Sequence, residues 1–149
     1  MDGKFLASSS LCAVLYERIF TTRLINETAN PIGFIASEEN IKEQRDNLLQ
    51  RTNQVIDVDK LPFRSITNEL VEAGVINVQE KKEYDEFYRE IRNPVSHGLT
   101  PRMFEATFGR KPAHTFEIDA NYEKIYEDVA HKLIDKIYYL MAIKVLRKR

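Results

Sequence analysis

The sequence predicts an all-α fold: a helical bundle of about five helices, two of them long. Two observations carry this. Glycine and proline are scarce, five of each in 149 residues, too few for a sheet-rich fold with many tight turns. Apolar residues also recur at three- and four-residue intervals over long stretches, with capping residues at their ends. The length suits a single domain, 1–149, and 43% hydrophobic residues supply one ordinary core.

The first helix is expected over about 4–25. Leu11, Val14, Leu15 and Ile19 recur at helical spacing, and Asn30-Pro31 breaks the pattern. The second is expected over about 37–54. Ser37 is its N-cap, Glu38 and Glu39 suit the positive end of the dipole, and Ile41, Leu48 and Leu49 form an apolar stripe. The third, about 62–73, starts at Pro62, lines Phe63, Ile66 and Leu70 on one face, and stops at Gly74. The fourth, about 78–92, opens on Asn77 and Glu80 at capping-box spacing and buries Tyr84, Phe87, Tyr88 and Ile91. The fifth, about 120–147, carries Tyr122, Ile125, Val129, Leu133, Ile137, Leu140 and Met141 as one stripe, long enough for both a core and a dimer contact. Arg147, Lys148 and Arg149 end it as dipole partners and solubilising charge. Residues 100–119, "TPRMFEATFGRKPAHTFEID", read as one long irregular connection, with Thr115-Phe116-Glu117-Ile118 alternating as in a short strand.

Charged residues make up 30% of the chain and nearly cancel, leaving a net charge of −1. A nucleic-acid-binding surface, if present, must therefore be local. One cysteine, Cys12, excludes an intramolecular disulfide and suits a reducing, cytoplasmic setting. It lies among apolar neighbours with no base partner in sequence, which favours packing over nucleophilic chemistry. No stretch approaches the apolar length of a membrane span, and no membrane partner is expected. His114 and His131 lack ligand spacing, so no metal site is expected. No phosphate-binding glycine loop is present, and no cofactor is expected.

The segment "EIRNPVSHGL", 90–99, concentrates the chemistry. Arg92 and His97 are five positions apart, roughly 140° of rotation on a straight helix. Pro94 lacks a backbone donor and should push Asn93 out of helical angles, so a kink or restart is expected there, with Gly98 ending the turn in a left-handed conformation. Such a break would bring Arg92 and His97 to one concave edge. Arginine offers a permanently charged fork of donors for phosphate, histidine moves protons near neutrality, and Asn93 can add a donor or fix the backbone. The plain alternative is a surface arginine, an asparagine cap and a capping histidine.

These residues resemble the motif of the HEPN family, small helical domains that are often ribonucleases of toxin–antitoxin and other defence systems. The family motif is Arg, a polar residue, a short spacer, then His, matched by "RNPVSH" at Arg92, Asn93 and His97. "LVEAGVI" before the motif helix and a long helix after it also fit, so the resemblance covers roughly 61–145 by layout, with the specific motif at 92–98. It implies a metal-independent endoribonuclease acting by 2′-hydroxyl attack and leaving a 2′,3′-cyclic phosphate. Arg92 would stabilise the scissile phosphate, His97 would be the general acid or base, and Asn93 would position the site. It further implies a homodimer with two motifs facing one cleft, RNA as partner, and an antitoxin or neighbouring-gene protein. Some members carry a tyrosine two positions after the histidine that a partner modifies with AMP; here that position is Leu99, which puts such a partner in doubt. Other members keep the fold as a non-catalytic module that binds nucleotide or RNA, or as a dimeric adaptor. Arg102, Arg110 and Lys111 could guide an RNA backbone, or be solvated loop charge. Tyr84, Tyr88, Tyr138 and Tyr139 are most simply core or dimer aromatics.

Overall fold

The structure, a computed structural model, describes residues 4–28 and 41–143. It is all-helical, with no strand among the described residues. In chain order the elements are α1 (Lys4–Thr28), α2 (Ile41–Asp59), α3 (Phe63–Glu72), α4 (Val78–Phe87), a π turn (Tyr88–Arg92), α5 (Asn93–Ser96), α6 (Thr100–Phe108), α7 (Thr115–Ala120) and α8 (Tyr122–Ile143). The expected cap at Ser37 with Glu38 and Glu39, the Asn30-Pro31 break, and Arg147, Lys148 and Arg149 lie outside the described residues.

The pairing of α1 with α8 is the most extensive in the fold. From α8, Ile125, Val129, Leu133, Ile137 and Leu140 are buried as the spacing predicts, while Met141 at the end of the stripe is exposed. In α1 the buried face is set by Ala13, Tyr16, Phe20 and Leu24, with Ile19 alongside. The expected stripe on that helix is corrected: Leu11, Val14 and Leu15 face solvent, Leu11 with 61% exposure. Aromatic volume decides the orientation, since Tyr16 and Phe20 remove far more apolar surface from water than the smaller aliphatics. Two hydroxyls tolerate burial on this face by bonding carbonyls of their own helix, Ser9 to Leu6 at 3.0 Å and Thr21 to Glu17 at 3.1 Å.

The α2 stripe is corrected as well. Leu48 and Leu49 are exposed, and Val58 near the C-terminus is the buried anchor. The side chain of Ile41 is not among those described. In α3, Phe63, Ile66 and Leu70 point inward as expected, and Gly74 follows with φ of +70°, a conformation that favours glycine. The Asn77–Glu80 capping box is present in full. The Glu80 amide donates to Asn77 Oδ1 at 2.8 Å, and the Asn77 amide donates to Glu80 Oε2 at 2.9 Å.

Helices α1, α3 and α4 meet in an aromatic cluster. Phe20 stands edge-on to Phe63 at 5.0 Å and 82°, and Phe63 stacks on Tyr88 at 4.2 Å and 6°. The buried Tyr16 hydroxyl donates to the Tyr84 carbonyl at 2.9 Å, and burial raises its pKa well above the ordinary phenol value. The cluster ties the start of the motif helix to α1 and fixes Tyr88.

Residues 100–119 are not irregular. Thr100-Pro101 opens α6, where proline costs no helical hydrogen bond. Met103 and Phe104 on α6 are fully buried. Gly109 closes the helix with φ of +70°. Thr107 bonds Asp128 of α8 at 3.0 Å, and Lys132 Nζ of α8 donates to the Ala106 carbonyl at 2.8 Å. The suspected strand at 115–118 is the helix α7, with Ile118 buried and Phe116 exposed. Nine residues with two buried anchors are short for a periodicity argument, which is why α6 does not stand out in the sequence. No helix among the described residues is long and apolar enough to cross a membrane.

Candidate functional site

The motif lies at the end of one continuous helical run, 78–96, and not at a break. Asn93 has φ −66° and ψ −46°, so the expectation that Pro94 forces it out of helical angles, or makes it an N-cap, is corrected. The physical reason is the π turn before it. Within an α-helix a proline ring clashes with the carbonyl four residues back. Here the Asn93 amide reaches the Tyr88 carbonyl, five residues back, so the chain carries one extra residue in that turn and makes room for the ring. Pro94 and Val95 are buried, and α5 packs against α1 and α6.

The run then stops as the sequence predicts. His97 is the C-cap, Gly98 adopts φ of +62°, the Gly98 amide donates to the Val95 carbonyl at 3.3 Å and the Leu99 amide to the Pro94 carbonyl at 2.8 Å. This is a Schellman ending, and it presents His97 at the rim of the helix.

Arg92 is turned toward α1. Its Nε donates to the Ala13 carbonyl at 3.2 Å, and Nη1 donates to the Tyr88 hydroxyl at 3.0 Å. Nη2 forms an ion pair with Glu17. The guanidinium carbon also lies 4.8 Å from the centroid of the Tyr88 ring, which stacks on Phe63. All three guanidinium nitrogens thus have partners within the chain. The Arg92 side chain is 14% exposed and that of Glu17 28%. At Tyr88 burial outweighs the nearby Arg92 charge and raises the phenol pKa.

His97 contrasts with this. It is exposed, and its ring has no hydrogen-bond or ionic partner among the described residues. Asn93 is half-buried, and its backbone carbonyl accepts the His97 amide at 3.1 Å, a main-chain bond that any residue at this position would make. No hydrogen bond or ion pair joins Arg92 to His97.

The three basic residues proposed as RNA guides are dispersed in role. Arg102 is exposed and lines a groove of about 410 Å³ with Arg89, Glu90 and Glu105. Arg110 is committed to Glu117 by two hydrogen bonds of 3.1 Å, which help hold the Glu117 carboxyl at about 2. Lys111 is exposed, and its carbonyl accepts from Arg110 at 3.2 Å. A larger groove of about 660 Å³ runs beside the Arg92 site, with Glu17, Phe63, Arg64, Lys81, Tyr88 and Arg89 in its lining. Among the described residues no cluster of His, Cys, Asp and Glu has the makings of a metal site.

Sequence reasoning missed the partners of Arg92. Tyr88 lies four residues earlier, a separation that puts side chains on one helix face and could have suggested the pair. Ala13 is 79 positions away and Glu17 lies one helical turn beyond it. Nothing in the sequence marks Glu17 among the other acidic residues. Compared with known proteins, the chain gives no match to a family model, to a curated protein or to a solved structure.

Proposed function

We propose that the chain is a metal-independent endoribonuclease of HEPN type, built on Arg92, Asn93 and His97. The observation that carries this reading is a guanidinium fixed in place five residues before a solvent-facing imidazole, without a partner among the described residues, at the end of the same helical run. In the reaction the 2′-oxygen of RNA attacks the adjacent phosphorus and the bond from phosphorus to the 5′-oxygen breaks. A 2′,3′-cyclic phosphate and a 5′-hydroxyl result. His97 transfers a proton, from the attacking hydroxyl or to the leaving oxygen, and Arg92 stabilises the charge gathering on the phosphoryl oxygens. Asn93 holds the turn that presents His97. A second copy of the chain supplies the second motif. Support for such pairing comes from the exposed apolar residues Leu11, Val14 and Leu15 on α1 and Ile134, Tyr138 and Met141 on α8.

The test is cleavage of labelled single-stranded RNA in excess chelator, with product ends identified and sedimentation run in parallel. Cyclic-phosphate products from a dimer, lost in both Arg92→Ala and His97→Ala, support the enzyme. A second reading has an observation in its favour. Because every nitrogen of Arg92 is engaged inside the chain, a non-catalytic HEPN module that binds RNA or serves as an adaptor fits the same geometry. Binding without cutting selects it.

A further inference from the structure

The partners of Arg92 differ in kind. Tyr88 and the Ala13 carbonyl are neutral and orient the guanidinium without cancelling its charge. Glu17 cancels it. A carboxylate and a phosphodiester each carry one negative charge and present oxygens that suit the same guanidinium donors. Glu17 therefore occupies Arg92 in the manner of a bound phosphate. We infer that Glu17 is a built-in counter-anion that keeps the Arg92 site closed, and that an RNA phosphate reaches Arg92 by displacing it. This rests on the reading of Arg92 as a phosphate-binding residue.

Three features make the exchange feasible. Glu17 belongs to α1, so its release leaves the hydrogen bonds of the motif helix untouched. Its side chain is already 28% exposed, so the carboxylate has a route to water. It also lines the 660 Å³ groove together with Arg64, a cation toward which a freed carboxylate can turn, whereas Lys81 and Arg89 in the same lining are already paired with Asp85 and Glu90. The exchange is charge-neutral at Arg92, one monoanion for another, whereas removing Glu17 alone leaves a largely buried cation uncompensated. The closed state lowers the apparent affinity for phosphate by the fraction of time Arg92 is free. Neutralising Glu17 removes that penalty.

The experiment uses the full chain and a single-stranded 2′-O-methyl RNA, which cannot undergo 2′-oxygen attack. Affinity is measured by fluorescence anisotropy for wild type, Glu17→Gln, Glu69→Gln and Glu17→Gln/Arg92→Ala, with circular dichroism to establish folding. Glu69 is the charge control, an exposed carboxylate on α3 that lines neither groove. The expected result is binding about tenfold tighter for Glu17→Gln, little change for Glu69→Gln, and no gain in the double variant. Equal gains from Glu17→Gln and Glu69→Gln, a folded Glu17→Gln with unchanged or weaker binding, or no binding by any protein would overturn the inference. Should Glu17→Gln fail to fold, NMR on wild type decides. At saturating oligonucleotide the Glu17 side-chain carboxyl carbon and Arg92 Nε signals should both move, and an unmoved Glu17 signal overturns it. Cleavage of unmodified RNA by the same preparations separates the two ideas. Tighter binding by Glu17→Gln without cutting ends the nuclease reading and leaves the counter-anion in place.

Discussion

Arg92 and His97 belong to one short segment and occupy opposite circumstances. Arg92 is gripped by a carbonyl, a phenol and a carboxylate drawn from two helices, with its guanidinium carbon 4.8 Å from the Tyr88 ring centroid. His97 stands at a helix end with nothing bonded to its ring among the described residues. The difference teaches how the two roles are built. A permanent cation that must sit accurately needs a scaffold, and the π turn, the Phe63–Tyr88 stack and α1 supply one. A proton-transfer group must meet solvent and substrate, and a Schellman ending places it at the rim without enclosing it. The same contrast means that mutations at the two positions should separate stability from chemistry.

The largest expected effect is on Arg92. Arg92→Ala should lower unfolding free energy by about 2 kcal/mol, less than for a fully buried pair because both partners keep some solvent contact. His97→Ala should stay within about 0.5 kcal/mol, as for other surface sites. Urea unfolding of the two variants checks both. Comparable losses would erase the contrast. Next is the junction between them. Gly98→Ala meets no atom within 4 Å, so its cost should be only the left-handed backbone, about 1 kcal/mol. Cleavage should fall with it if the turn presents His97. Tyr88→Phe keeps the stack on Phe63 and deletes one hydrogen bond to Arg92, with an expected loss of about 1 kcal/mol.

The smallest effect concerns a second arginine, which shows that being bonded differs from being buried. Arg110, in the exposed connection after α6, is paired with Glu117 of α7. The folded Glu117 carboxyl is lowered from 4.5 to about 2, first by the Arg110 hydrogen bond and then by the Ala113 amide. A carboxyl with a depressed folded pKa adds stability above its unfolded value and loses it as pH falls toward the folded one. Stability should therefore show a small decline between about pH 4.5 and 2 that Glu117→Gln removes. Salt should weaken this contribution. Denaturation midpoints across that pH range, with and without the substitution, are the check.

Much of the fold is legible in local pattern. The Asn77–Glu80 box, the Phe63–Ile66–Leu70 face, the α8 stripe and the Gly98 stop all follow from residues within one or two turns of each other. The misreadings occur where a distant partner chooses. In α1 two apolar faces compete, and the face that meets the α3–α4 aromatics wins over Leu11, Val14 and Leu15. In α6 the burial of Met103 and Phe104 depends on α8, which the sequence places after a connection that looks irregular. At Pro94 the local rule predicts a break, and one extra residue in the preceding turn absorbs it. The candidate site divides the same way. Arg92, Asn93 and His97 stand out by type and spacing, while Glu17 emerges only once α1 lies against the motif helix.

The claim on which these ideas rest is that Glu17 and Arg92 act on each other across two helices. A double-mutant cycle in unfolding free energy, with Glu17→Ala, Arg92→Ala and the two combined, measures that directly. Coupling of about 1–2 kcal/mol is expected. Losses that add to within about 0.3 kcal/mol would contradict it.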